Sequence, residues 1–214
     1  MPTDFLFDGP EDARLTLLLA HGAGAAMDSA SMTATARALA DAGFRVARFE
    51  FAYMASRRSA AGRKPPPRAE TVMPELVAAV DDLGPTTGPL IIGGKSMGGR
   101  VASMVADRLH DGGRIAGLLC LGYPFHPPDK PTQLRTAHLA QLSTPTLICH
   151  GTRDPFGSPE QIAGYALSTA IEMYFVEDGD HDLRPRKSVT GVSATEALAA
   201  VAAKAREWAE RIVA

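Results

Sequence analysis

Six short apolar, β-rich runs recur along the chain: LTLLLA (Leu15–Ala20), FRVARFEF (Phe44–Phe51), PLIIGG (Pro89–Gly94), IAGLLCLG (Ile115–Gly122), PTLICHG (Pro145–Gly151) and IEMYFVED (Ile171–Asp178). Most are continuous in hydrophobicity rather than alternating, as in central parallel strands covered on both faces. Between them, apolar residues fall at helical spacing. Met32, Ala36 and Leu39 share one face, and Gly43 follows as a C-terminal cap. Thr71 is positioned to cap a second helix, with Pro74 tolerated in its first turn and Leu76, Val80 and Leu83 as its buried stripe. Val101, Val105 and Leu109 mark a third. Ser158 and Pro159 open a short helix through Ile162 and Ala166. A capping box, Ser193 with Glu196, opens the last, which carries Leu198, Val201, Ala205, Trp208 and Ile212. Strands alternating with helices predict an α/β fold: a doubly wound, mostly parallel sheet of about six to seven strands with helices on both faces. No repeat or linker divides the chain, which reads as one domain over residues 1–214.

Composition narrows the classes of function. Hydrophobic residues make up 45% and charged residues 21% of the 214, enough apolar material for a sizeable core and no signature of disorder. With 22 basic and 24 acidic side chains the formal net charge is −2, which supplies no global attraction for nucleic acid or an anionic membrane. The two cysteines, Cys120 and Cys149, lie inside apolar runs and read as buried free thiols rather than a disulfide. The N-terminus has acids where a secretory signal needs bases, and Leu15–Ala20 is too short to span a bilayer, so a soluble, cytoplasmic protein is expected. No Cys/His set has zinc-binding spacing, and no cofactor is expected.

The chemistry gathers at the ends of the strand runs. Gly94-Lys95-Ser96-Met97-Gly98 is a G-x-S-x-G segment with a strand before it and a helix after it, the context in which a sharp turn exposes a serine nucleophile. A serine that merely fits a tight turn is the plain alternative. A hydroxyl is weakly nucleophilic and needs a base, and the base needs an orienting group. Asp154 follows the fifth run and His181 the sixth, in the chain order Ser, Asp, His, and all three fall where open α/β sheets build their sites. Taken singly, Asp154 before Pro155 is also an ordinary turn residue, and His181 between Asp180 and Asp182 an ordinary loop histidine. Their agreement in order and position favours the triad. His150 is expected to pack beneath it.

An oxyanion needs preorganised donors. The glycine-rich turn HGAG after the first run is expected to supply the Ala23 backbone N–H, and Met97, which follows the nucleophile, the other. Positive φ at Gly22 or Gly24 would suit the same turn. His21, Gly22, Gly24 and Lys95 are accordingly candidates for the substrate pocket, as is Phe156.

HGAGAAMDS, GGKSMGGRVAS, LGYPFHPP, TPTLICHGTRDPFG and GDHDL together resemble a small family of compact α/β-hydrolase-like proteins. Bacterial hydrolases, a testis-expressed vertebrate protein and the hydrolase-like part of a histone acetyltransferase complex subunit belong to it, with dienelactone hydrolases as more distant kin. The resemblance spans nearly the whole chain. It implies the α/β-hydrolase fold and the Ser96, Asp154, His181 triad, without a substrate.

Only Tyr123 to Thr144 separates the fourth and fifth runs, too little for a substantial lid, so a shallow or open pocket is expected. The proline-rich stretch Tyr123–Pro131 would form its stiff rim, with Tyr123, Phe125 and His126 lining it. The segment after the second run carries Arg57, Arg58, Arg63, Lys64 and Arg68, a basic loop (residues 57–68) that either attracts an anionic substrate or is simply solvated. The expected activity is hydrolysis of a small ester-like substrate. A hydrolase-shaped interaction module with a vestigial triad is the alternative.

Overall fold

The computed structural model describes residues 2–59 and 65–214. Seven strands, β1 (Phe5–Asp8), β2 (Leu15–Ala20), β3 (Phe44–Phe49), β4 (Leu90–Lys95), β5 (Gly117–Leu121), β6 (Thr146–Gly151) and β7 (Ile171–Val176), form one sheet in the order β1-β3-β2-β4-β5-β6-β7. All neighbours are parallel except β1, which runs antiparallel on β3. Helices α1 (Ala30–Asp41) and α7 (Ala194–Ile212) cover one face, and α3 (Ala69–Leu83) and α4 (Met97–Asp111) the other. Shorter helices complete the connections: α2 (Ala52–Ser59), α5 (Pro159–Ala163), α6 (Lys187–Thr190) and a 3-10 turn at Ala137–Gln141. The doubly wound, mostly parallel architecture is the expected one, and among the described residues no lid domain stands over it.

Double coverage explains the unbroken apolar runs. On β2, Leu18 and Ala20 join the core under α3 and α4, while Leu15, Leu17 and Leu19 join the core under α1 and α7. Both faces are dry, so neither set can be polar. β1 escapes the apolar pattern because it is four residues long and lies at the edge, with Phe7 half exposed beneath the Arg45 guanidinium. Its Asp8 receives the buried Arg48 at 2.7 Å.

Cys120 and Cys149 are both buried and free, as expected. Ser158 with Gln161 and Ser193 with Glu196 both form capping boxes. The start of α3 differs from the expectation. It begins at Ala69, and Thr71 donates its hydroxyl to the Arg68 carbonyl at 2.8 Å instead of capping, so Pro74 lies inside the helix. The residues after β3 also differ: Ala52–Ser59 is helical where a loop was expected.

Trp208 anchors α7 on the sheet among Val201, Ala205 and Ala209, and is buried. Trp208→Ala should destabilise the protein by about 3–5 kcal/mol in urea denaturation followed by circular dichroism; a loss below 1 kcal/mol would mean that α7 does not depend on this contact.

Candidate active site

Ser96 sits between β4 and α4 with φ 52° and ψ −117°, a region that residues with a side chain rarely adopt. Two close approaches force the bend. A Cβ on Gly94 would lie 2.5 Å from the Gly98 carbonyl carbon, and one on Gly98 would lie 2.6 Å from the Ala20 oxygen. The Ser96 N–H, meanwhile, donates to the Leu121 carbonyl on β5 at 2.9 Å. The turn thus presents the serine side chain at the carboxyl edge of the sheet.

The loops after β6 and β7 meet it there. His181 Nε2 lies 2.8 Å from Ser96 Oγ, and His181 Nδ1 lies 2.7 Å from Asp154 Oδ2. A carboxylate only accepts, so Nδ1 carries the proton and Nε2 is left to accept from the serine hydroxyl. Asp154 is enclosed: its side chain has no exposed surface, and its Oδ1 takes the Phe156 N–H at 2.9 Å. The His181 side chain remains 24% exposed, on the side a reactant must approach. Phe156 packs on the imidazole with ring centroids 4.3 Å apart. Beneath, the buried His150 donates from Nε2 to the Gly157 carbonyl at 2.9 Å, and burial holds its pKa below the usual histidine value. It packs under the site as expected.

Two ion clusters fix these loops. The Asp178 carboxylate, just after β7, accepts from Arg186 and forms an ion pair with Arg153, whose Nε lies 3.1 Å away and donates to the Asp178 carbonyl at 3.0 Å. Arg153 adjoins Asp154, so this carboxylate ties the loop of Asp154 to the loop of His181. The second cluster involves Lys95, which pairs with Asp182 and donates to the His181 carbonyl at 3.3 Å. Burial raises the Asp182 pKa, but hydrogen bonding and charge from Lys95 outweigh it and leave the carboxyl below its usual range.

A cavity of about 650 Å³ opens beside Ser96, bordered by Ala23, Met97, Pro124, Phe156, Arg100 and Arg135 among others. Of the expected pocket residues Phe156 lines it, as do Ala23 and Met97, the expected oxyanion donors. Lys95 does not: successive residues of an extended strand point to opposite faces, and Lys95 instead lines a groove between α1 and α7. His21 is buried, its Nδ1 donating to the Gly22 carbonyl at 2.7 Å and its Nε2 accepting from the Phe51 N–H at 3.1 Å. It ties the first turn to the end of β3. Gly22 packs behind the serine, where its Cβ would be 3.6 Å from Ser96 Cβ, and Gly24 faces open space; neither has positive φ. Tyr123, Phe125 and His126 are also buried rather than lining the pocket. The Tyr123 hydroxyl donates to the Arg135 carbonyl at 3.2 Å, Phe125 packs on His150, and His126 lies 2.8 Å from the Pro127 carbonyl. They hold the rim from below. Of the basic loop, Arg57 stacks on Tyr53 and Arg68 borders the cavity, while the Arg58 side chain, Arg63 and Lys64 lie outside the described residues.

The sequence matches the family described as alpha/beta hydrolase domain over residues 13–210. The chain belongs to that family. Solved structures of similar fold include a dienelactone hydrolase from Anabaena variabilis (TM-score 0.72, 22% identity, 97% of this chain and 91% of that one). An α/β serine hydrolase without a lid from Xanthomonas campestris matches at TM-score 0.68 and 18% identity over 99% of this chain and 95% of its own. The esterase domain of a Rhodothermus marinus protein matches at TM-score 0.66 and 19% identity, over 97% and 92%. At these identities the likeness speaks for the fold.

Several residues at this α/β-hydrolase edge carry no obvious signal in the sequence. Tyr53 donates to the Gly22 and Ala23 carbonyls at 3.4 and 3.3 Å, and burial pushes its phenol up to about 12, so it stays a donor. Arg135, Gln133 and Leu134 reach the cavity from the irregular segment after β5. Arg100 was detectable: it stands four residues after Ser96, one turn along the same helix. Among the described residues, no three His, Cys, Asp or Glu side chains converge on a metal site, and no helix is long and apolar enough to cross a membrane.

Hydrogen bonds from Arg186 hold the Asp178 carboxyl well below its usual range, so its stabilising effect is complete above the ordinary Asp pKa of about 3.9 and is lost as pH falls through the depressed folded-state value. Asp178→Asn should therefore lower Tm at pH 7, and the deficit relative to wild type should narrow below about pH 4. A deficit that stays constant down to pH 3 in differential scanning calorimetry contradicts this role.

Proposed function

We propose that the chain is a serine hydrolase that cleaves an ester-like bond, a carboxylester, thioester or lactone, in a small substrate. The observation that carries the reading is the unbroken relay Ser96 Oγ to His181 Nε2 at 2.8 Å and His181 Nδ1 to Asp154 Oδ2 at 2.7 Å, set on a strained turn at the mouth of a cavity. A binding module has no need of such a relay.

In this mechanism His181 takes the Ser96 proton as Oγ attacks the carbonyl carbon, and Asp154 orients and stabilises the imidazolium. Negative charge then develops on the carbonyl oxygen. The first N–H groups of α4 have no acceptor within the helix, which makes Met97 N–H available to that oxygen, and Ala23 across the cavity supplies the second donor. His181 returns its proton to the leaving group, leaving an acyl-serine. Water attacks this ester with His181 again as base, releasing the acid and restoring the serine. No metal or cofactor enters these steps. The open cavity suits a small substrate, and a cytoplasmic setting accords with the two free buried thiols. Kinship with the compact group that includes the testis-expressed and acetyltransferase-complex proteins is part of the same reading.

A panel of 4-nitrophenyl esters and matching thioesters of varied acyl length tests it. Ser96→Ala and Asp154→Asn should each lower kcat by roughly a thousandfold or more on any member that wild type turns over. No turnover of any member by folded wild-type protein would instead favour a non-catalytic hydrolase-like module. Lys95→Met should lower kcat by roughly ten- to a hundredfold with KM little changed, because it frees the loop carrying His181 without touching the cavity; a change confined to KM would place Lys95 in substrate binding after all.

A further inference from the structure

The charges around the cavity are unbalanced. Three guanidinium groups border it, from Arg68, Arg100 and Arg135, against one carboxylate, that of Glu70. Glu70 is engaged already, receiving Arg100 Nη2 at 2.7 Å. Arg100 Nε, by contrast, is buried and has no hydrogen-bond partner. Among the described residues, the Arg68 and Arg135 side chains form neither an ion pair nor a hydrogen bond. Burial lowers the Arg135 pKa, and the charge of Arg100 lowers it further, so the two cations work against each other across the cavity. Arg100 and Arg135 are half-buried and give up part of their hydration, yet only Arg100 gains a partner, Glu70, so positive charge is left in excess. Arg100 lies in the first turn of α4, which Ser96 precedes, and both residues border this cavity.

We propose, building on the serine-hydrolase reading, that the substrate of this cavity carries an anionic oxygen group, a carboxylate or a phosphate, a few bonds from the scissile carbonyl, held by Arg100 and Arg135. Arg135 presents a free fork of paired N–H donors that matches such a group, and Arg100, with Nη2 on Glu70, adds its charge and its unpartnered Nε. The more exposed Arg68 adds attraction at the entrance. The anion supplies counter-charge beyond that of Glu70, and because Arg100 and Ser96 border the same cavity it places the carbonyl near the hydroxyl. Neutral esters of the same length gain only the apolar contacts.

Calorimetric titration of Ser96→Ala protein with monomethyl glutarate, its neutral dimethyl ester and methyl phosphate tests this without relying on turnover. At least one anion should bind about tenfold or more tightly than the neutral diester, less so at high salt, and the tighter anion assigns the group. Adding Arg135→Gln should reduce anion affinity about tenfold. Arg68→Gln, an exposed substitution that does not threaten folding, should reduce it by a smaller factor. Arg114→Gln, at the opposite edge of the sheet, should change nothing. Equal binding of charged and neutral ligands, no measurable anion binding, or an anion preference untouched by both Arg135→Gln and Arg68→Gln overturns the proposal. An intact anion preference together with no ester turnover by the wild type would contradict the hydrolase reading and leave the anion site standing.

Discussion

Everything at the carboxyl edge depends on the backbone at Ser96. β4 is flanked on both sides by parallel neighbours, and Ser96 alone separates its last residue, Lys95, from α4, so the chain must reverse within a single residue. It does so at φ 52°, a conformation that costs on the order of 1–3 kcal/mol in a residue with a side chain. The close contact of Gly98 with the Ala20 carbonyl and the Ser96 bond to Leu121 hold the bend in place. The same bend raises the serine side chain toward His181 and starts α4 beside it, so that the first amides of that helix, which have no acceptor within it, face the same edge.

The rest of the site is held by structure shared with the core. The order of the parallel strands brings the ends of β4, β6 and β7 to one edge, so Asp154 and His181 reach Ser96 on short loops. Those loops would be mobile if left to themselves. Asp178 with Arg153 and Arg186 joins them from outside, and Lys95 with Asp182 fastens the His181 loop to the end of β4. His150 and Phe125 fill the space underneath, which couples the position of these loops to core packing. Under the proposed mechanism that rigidity matters, because an imidazole misplaced by an ångström loses much of its value as a base.

How much of this was legible in the sequence follows from range. Apolar runs located six of the seven strands, since burial on both faces writes itself directly into composition, while β1, short and half exposed, left no such trace. Ser96, Asp154 and His181 could be singled out because strand ends in an open parallel sheet all lead to one edge, so order along the chain carries spatial information. Side-chain direction was much harder to read. Tyr123, Phe125 and His126 follow a strand end as a pocket rim would, yet they turn inward, because the prolines around them fix the backbone while the cavity under the rim needs filling. Lys95 lies beside Ser96 in sequence but lines a groove on the other side of the sheet. Arg135 offered no signal, since only tertiary packing brings an irregular segment beside α4. The basic stretch after β3 was conspicuous as a charge run, yet the charges that line the cavity come from three separate parts of the chain.

The central claim is that the Ser96 hydroxyl, activated by His181, is the nucleophile. Treating folded protein with a fluorophosphonate and mapping the modified peptide by mass spectrometry tests it most directly. The account predicts a single covalent adduct on Ser96, absent from Ser96→Ala and slowed severely in His181→Ala. An adduct that persists in Ser96→Ala, or folded wild-type protein that forms none, would contradict it.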